Sequence, residues 1–124
     1  MEVNPRAWTH WFEIPVTDMN RAKKFYETIF GIEISILDLG ELQMGIFPHN
    51  NVGAALCKNS SYTPGTEGTL VYLDANPDLN DVLNKIGEAG GTVVIQKRHI
   101  SPQFCYMALF IDSEGNRLAL HSKN

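Results

Sequence analysis

WFEIPVTDMNRAKKFYETIFG, residues 11–31, carries the reading on which the fold depends. Its first part alternates: Phe12, Ile14 and Val16 fall on one face of an extended strand, and Trp11 and Glu13 on the other. Thr17 or Asp18 can then cap a helix with a side-chain oxygen. Ala22, Phe25, Tyr26 and Ile29 repeat at the three/four spacing of a core-facing stripe, while Arg21, Lys23, Lys24 and Glu27 lie outward. Gly31 follows the last apolar turn, where a left-handed C-cap residue belongs. The spacing predicts a strand running straight into an amphipathic helix.

Outward from there, three short strand-like runs follow: IEISILDL (32–39), LQMGIF (42–47) and VGAALCK (52–58). Gly40 parts the first two, and a turn containing Pro48, Asn50 and Asn51 parts the next. SSYTPGTEG (60–68) reads as a linker by composition. The same programme then restarts. TLVYLD (69–74) is a strand, and Asn76 followed by Pro77 reads as an N-cap with proline at the first helical position. Leu79, Val82, Leu83 and Ile86 form the apolar stripe, and Gly90-Gly91 ends the helix. TVVIQKRHI (92–100), FCYMALFID (104–112) and RLALHS (117–122) supply three more strands, with a turn from Ser113 to Asn116 before the last. A βαβββ unit therefore occurs twice, and an internal repeat of this kind constrains the fold more than any single element. The chain reads as one α+β domain over 1–124, with module one at about 8–58, a linker at 59–67 and module two at about 68–122. Each sheet has one helix for one face, so the other faces are expected to close around a cleft, within one chain or between two.

Composition narrows the partners. At 124 residues the chain can bury a core without disulfide or metal staples. The net charge is −4 and no Lys/Arg stripe occurs, so nucleic acid and anionic membrane are poor partners. No apolar run reaches the ~20 residues of a transmembrane helix. The start MEVNPRAW has an early acid, a proline and no apolar core segment, unlike a signal peptide. Cys57 and Cys105 form neither a CxxC nor a dense framework, which fits reduced thiols in a cytoplasmic protein.

WFEIPVTDMNRAKKFYETIFG at the start and YMALFIDSEGNRLALHS at the end resemble the vicinal oxygen chelate superfamily, as do GTLVYLD and LNKIGEAGG between them. That superfamily holds glyoxalase I, the bleomycin-resistance proteins and the extradiol dioxygenases. The similarity is greatest to glyoxalase-like members with a WFEIPV-type start. The resemblance implies the paired βαβββ fold and a homodimer. It leaves chemistry open, because isomerases, dioxygenases, epimerases and plain binding proteins share the scaffold. It also implies where a metal would be held: one ligand on the first and one on the last strand of each module. Those positions fall on Trp11, Ala55, Thr69 and Ala119. Tryptophan and alanine cannot ligate, and a lone threonine hydroxyl is a poor ligand for a transition metal. No metal and no other cofactor is expected.

His10 and Glu13 raise a separate metal question, since they lie close in sequence. Their separation is odd, so a regular strand points them to opposite faces and they cannot share an ion unless a bulge intervenes. By the same parity the cleft face is expected to carry Trp11, Glu13, Ala55, Cys57, Thr69, Val71, Arg117, Ala119 and His121. Trp11 is either a filler of the vacated metal volume or an aromatic wall for a ligand. Glu13 on an apolar strand is either paired with Arg117 or His121, or it is a general base assisted by His121. Arg117 can grip a carboxylate in a bidentate manner. Cys57 is a small core residue, or with His121 a nucleophile and its base. His49 and His99 point to no specific role.

Two functions follow. One is a metal-independent small-molecule-binding protein, like the superfamily's drug binders, with Trp11, Cys57, Thr69, Val71, Arg117 and Ala119 around the ligand. The other is an isomerase or lyase type enzyme with Glu13 and His121 as its catalytic groups. Metal-dependent glyoxalase or dioxygenase activity ranks third. The acidic balance disfavours a strongly acidic ligand but leaves room for a monocarboxylate.

Overall fold

The structure is a computed structural model that describes residues 5–124; residues 1–4, part of the stretch read as unlike a signal peptide, lie outside the described residues. The element order is β1 (Trp11–Pro15), α1 (Met19–Phe30), β2 (Ser35–Asp38), β3 (Gln43–Ile46), β4 (Gly53–Lys58), then β5 (Tyr72–Asp74), α2 (Asn80–Ala89), β6 (Thr92–Ser101), β7 (Cys105–Ile111) and β8 (Arg117–Ser122). The βαβββ unit is thus present twice. Each module folds into its own four-stranded mixed sheet, in the order β1-β4-β3-β2 and β5-β8-β7-β6. In both, the first and last strands of the module pair in parallel at the sheet edge.

Local chemistry sets these boundaries. Of the two residues read as possible caps for α1, Asp18 takes the role, its carboxylate accepting from the Arg21 backbone N–H at 3.0 Å. Gly31 ends the helix at φ 64°, with its N–H on the Glu27 carbonyl. Met19, Ala22, Phe25, Tyr26 and Ile29 form the buried stripe and rest on the sheet face that presents Ile14 and Leu56. The two helices also pack on each other, which joins both modules into one core.

The second module departs from its expected boundaries. Asn76 does not cap α2, which starts at Asn80. The Asn76 carboxamide is instead held by Asp74 and by the Lys123 backbone N–H. The N-cap is Leu79, whose side chain makes no cap hydrogen bond; just ahead of it Asp78 accepts from the Asn80 N–H at 2.9 Å in a local turn. The Asn76–Pro77 peptide bond is cis. Strand β5 is also shorter than TLVYLD, because at Arg117 the partner strand gives its N–H to the Gly65 carbonyl rather than to a strand continuing backwards from Tyr72.

Candidate functional site

Strand parity in the N-terminal sheet follows the sequence reading. Ile14 and Val16 are buried towards α1, while Trp11 and Glu13 point to the uncovered face. His10 is exposed just ahead of β1, clear of any shared site with Glu13. Ladder register places Glu13 opposite Ala55, and Pro15 opposite Cys57. The indole of Trp11 lies over Gly53, where an added β-carbon would come within 2.6 Å of the ring. The imidazole of His49 meets that indole edge-on at 5.6 Å.

Glu13 has partners, but not the expected ones. Its Oε1 accepts from the Tyr62 hydroxyl at 2.5 Å, and its Oε2 accepts from Trp11 Nε1 at 3.3 Å. Neither Arg117 nor His121 pairs with it. The Tyr62 hydrogen bond, foremost, holds Glu13 below its ordinary value, against the opposing effect of partial burial. The same bond drives Tyr62 well above a normal phenol. Cys57 lies beneath them, completely buried; burial first, then the Glu13 charge, push its thiol up to about 11. A thiol raised in this way favours its protonated form, the less nucleophilic one.

In the C-terminal sheet the register corrects the expected list. Leu73 faces the core, so Tyr72 and Asp74, paired with Ala119 and His121, are the β5 residues on the uncovered face. Thr69 precedes the strand and is exposed, and Val71 packs partly against the core. His121 stands 2.6 Å from the Phe104 carbonyl through Nε2, and Ala119 is buried beside it. The expected pairs Glu13–His121 and Cys57–His121 are therefore not assembled within the chain.

What the fold does bring together is a hollow of about 230 Å³ at the seam between the modules, lined among others by Glu13, Thr69, Val71 and Arg117. The seam is fixed by Asn116, whose side chain donates to the Pro15 carbonyl at 2.7 Å and accepts from the Gly65 N–H at 3.1 Å. Arg117 gives one guanidinium N–H to the Gly68 carbonyl at 3.2 Å, while its Nε is buried without a partner among the described residues. A larger, apolar hollow of about 450 Å³ opens between Phe12, Phe30, Phe47, His49 and Tyr72. None of the expected site residues lines it; its polar side chains are His49, Tyr72 and Asp74, whereas Glu13, Glu67 and Arg117 line the seam hollow.

A resident metal of the kind the fold implies finds no fitting donor set. Trp11, Ala55 and Ala119 supply no ligand atom, and the described residues hold no group of three or more His, Cys, Asp or Glu side chains able to share an ion.

Comparison with known proteins agrees with this architecture. Residues 9–43 match the family model for the bleomycin resistance protein-like N-terminal region. No curated protein sequence matches the chain. Among solved structures, a hypothetical protein of S. aureus is 24% identical, with a TM-score of 0.69 over 90% of this chain and 94% of its own. A glyoxalase/bleomycin resistance protein of Albidiferax ferrireducens is 17% identical, with a TM-score of 0.72 over 95% and 100%. A glyoxalase I of Zea mays is 17% identical, with a TM-score of 0.67 over 91% of this chain but 46% of that one. Likeness at these identities is a likeness of fold.

Proposed function

We propose that this chain, whose two βαβββ modules carry the fold of the vicinal oxygen chelate superfamily, is a metal-independent small-molecule-binding protein. It binds in the hollow at the module seam, against Glu13 and Arg117, with Tyr62 and Trp11 beside it holding the Glu13 carboxylate. The observation that carries this reading is the state of Glu13: a carboxylate held ionised by Tyr62 and Trp11 and facing a formed hollow. Such a group anchors a polar ligand. It is a weaker base than a free carboxylate, which places proton abstraction by Glu13 behind binding. We place the protein in the cytoplasm, since both cysteines are free and no described helix is long and apolar enough to cross a membrane.

Elemental analysis after dialysis against zinc, nickel, manganese and iron salts is expected to find well under one ion per chain, on the strength of Trp11, Ala55 and Ala119 at the implied ligand positions. One tightly held ion per chain would overturn the metal-free reading.

A further inference from the structure

We propose that the seam hollow recognises a small zwitterion, an α-amino acid or a close analogue, through Arg117 and Glu13 together. The inference rests on the binding reading above and names its ligand class. Three charged side chains line the hollow: Glu13, Glu67 and Arg117. Among the described residues the ion pairs are Arg21–Glu114, Lys23–Glu27 and Lys97–Asp78, so Arg117 and the two glutamates share the space without neutralising one another. Arg117 is short of partners, with one hydrogen bond to a neutral carbonyl and a buried Nε that has none. A guanidinium in that condition favours a carboxylate, which it can meet with two parallel N–H groups.

A simple anion, however, would also face two carboxylates. A simple cation would be drawn to Glu13 and repelled by Arg117. A ligand with both charges satisfies each: its carboxylate lies on Arg117 and its ammonium on Glu13, whose two oxygens accept from Tyr62 and Trp11 yet keep lone pairs free. The hydroxyl-bearing Thr63 and Thr69 line the same space. At about 230 Å³ the hollow suits a small ligand of this kind rather than a peptide.

Norvaline, its N-acetyl derivative, its amide and uncharged pentanamide separate the possibilities in titrations of the amide NMR spectrum. Norvaline is expected to shift the Glu13, Thr69 and Arg117 amides, with each singly charged derivative about tenfold weaker or more, the scale of a lost charge-assisted contact. Arg117→Gln is expected to weaken norvaline while sparing its amide, and Glu13→Gln to weaken norvaline while sparing the N-acetyl form. Arg117→Lys, which keeps the charge, serves if the glutamine variant does not fold. Pentanamide shifting these amides as strongly as norvaline, or a singly charged form binding as well, would overturn the zwitterion and leave a binding site standing. No shift with any of the four would overturn both readings.

Discussion

The Tyr62 hydroxyl and the Glu13 carboxylate meet at 2.5 Å, and this contact decides how the acid behaves. A phenol that donates to the ionised form favours that form, so Glu13 lies below the usual glutamate range. Its stabilising contribution is present above the unfolded value and is lost as the pH falls through the lower folded one. Tyr62→Phe removes the donor. The Glu13 pKa is then expected to rise, read from the carboxyl carbon shift in an NMR titration, with a loss of stability of about 1 kcal/mol. An unchanged Glu13 titration in Tyr62→Phe would mean that the bond does not hold the charge. Trp11, Glu13 and Cys57 were legible in the sequence as one cluster, because strand parity alone places them on one face. Tyr62 was not, since SSYTPGTEG reads as linker and a linker residue has no parity. Its one signal is that it is the sole aromatic side chain in an otherwise small and polar stretch.

At the scale of the elements, Glu114 ties the β7–β8 turn of one module to the helix start of the other. One of its oxygens accepts the backbone N–H groups of Thr17 and Asp18, each at 2.8 Å, and the other accepts Arg21 Nε at 2.6 Å. A carboxylate at the positive end of α1 is also favoured by the helix dipole. Burial opposes its ionisation most, yet Arg21 and the backbone donors together prevail and bring Glu114 to about 2. A carboxylate lowered in the fold stabilises fully above its unfolded value, and that contribution fades between about pH 4.5 and 2. Glu114→Gln turns an amide towards donors and is expected to cost about 2 kcal/mol at neutral pH and to flatten the acid limb of stability, measured by denaturant melts across that range. A variant as stable as the parent protein would show the clamp to be idle. The βαβββ elements were readable from period and punctuation, as Asp18, Gly31 and Gly90 illustrate. The start of α2 was not, because Asn76 has cap chemistry but spends its carboxamide on Asp74 and Lys123, contacts that only the fold supplies. The length of β5 was hidden for a similar reason: Gly65 competes for the Arg117 N–H.

For the whole molecule, the sheet faces away from the helices and the sheet edges carry exposed apolar surface. All four residues of β2 are exposed at a sheet edge, and Ile36, Leu37, Tyr72 and Phe104 expose much of their apolar surface. We propose a two-fold homodimer that covers part of this surface. Sedimentation at micromolar concentration is expected to give twice the 13.9 kDa chain mass, and a monomer would refute the proposal.

Gly53, having no side chain, leaves room for the Trp11 ring, whose N–H reaches Glu13 and whose plane meets that of His49 at 76°. The consequence is optical. An ammonium that settled on Glu13 would change the charge beside the indole N–H, so emission from Trp11 is expected to shift as the proposed site fills, without any label. The chain's other tryptophan, Trp8, is 88% exposed and adds a solvent-relaxed background that Trp8→Phe removes. That variant then carries Trp11 as its single tryptophan, excited selectively over the tyrosines and lying beside the proposed site.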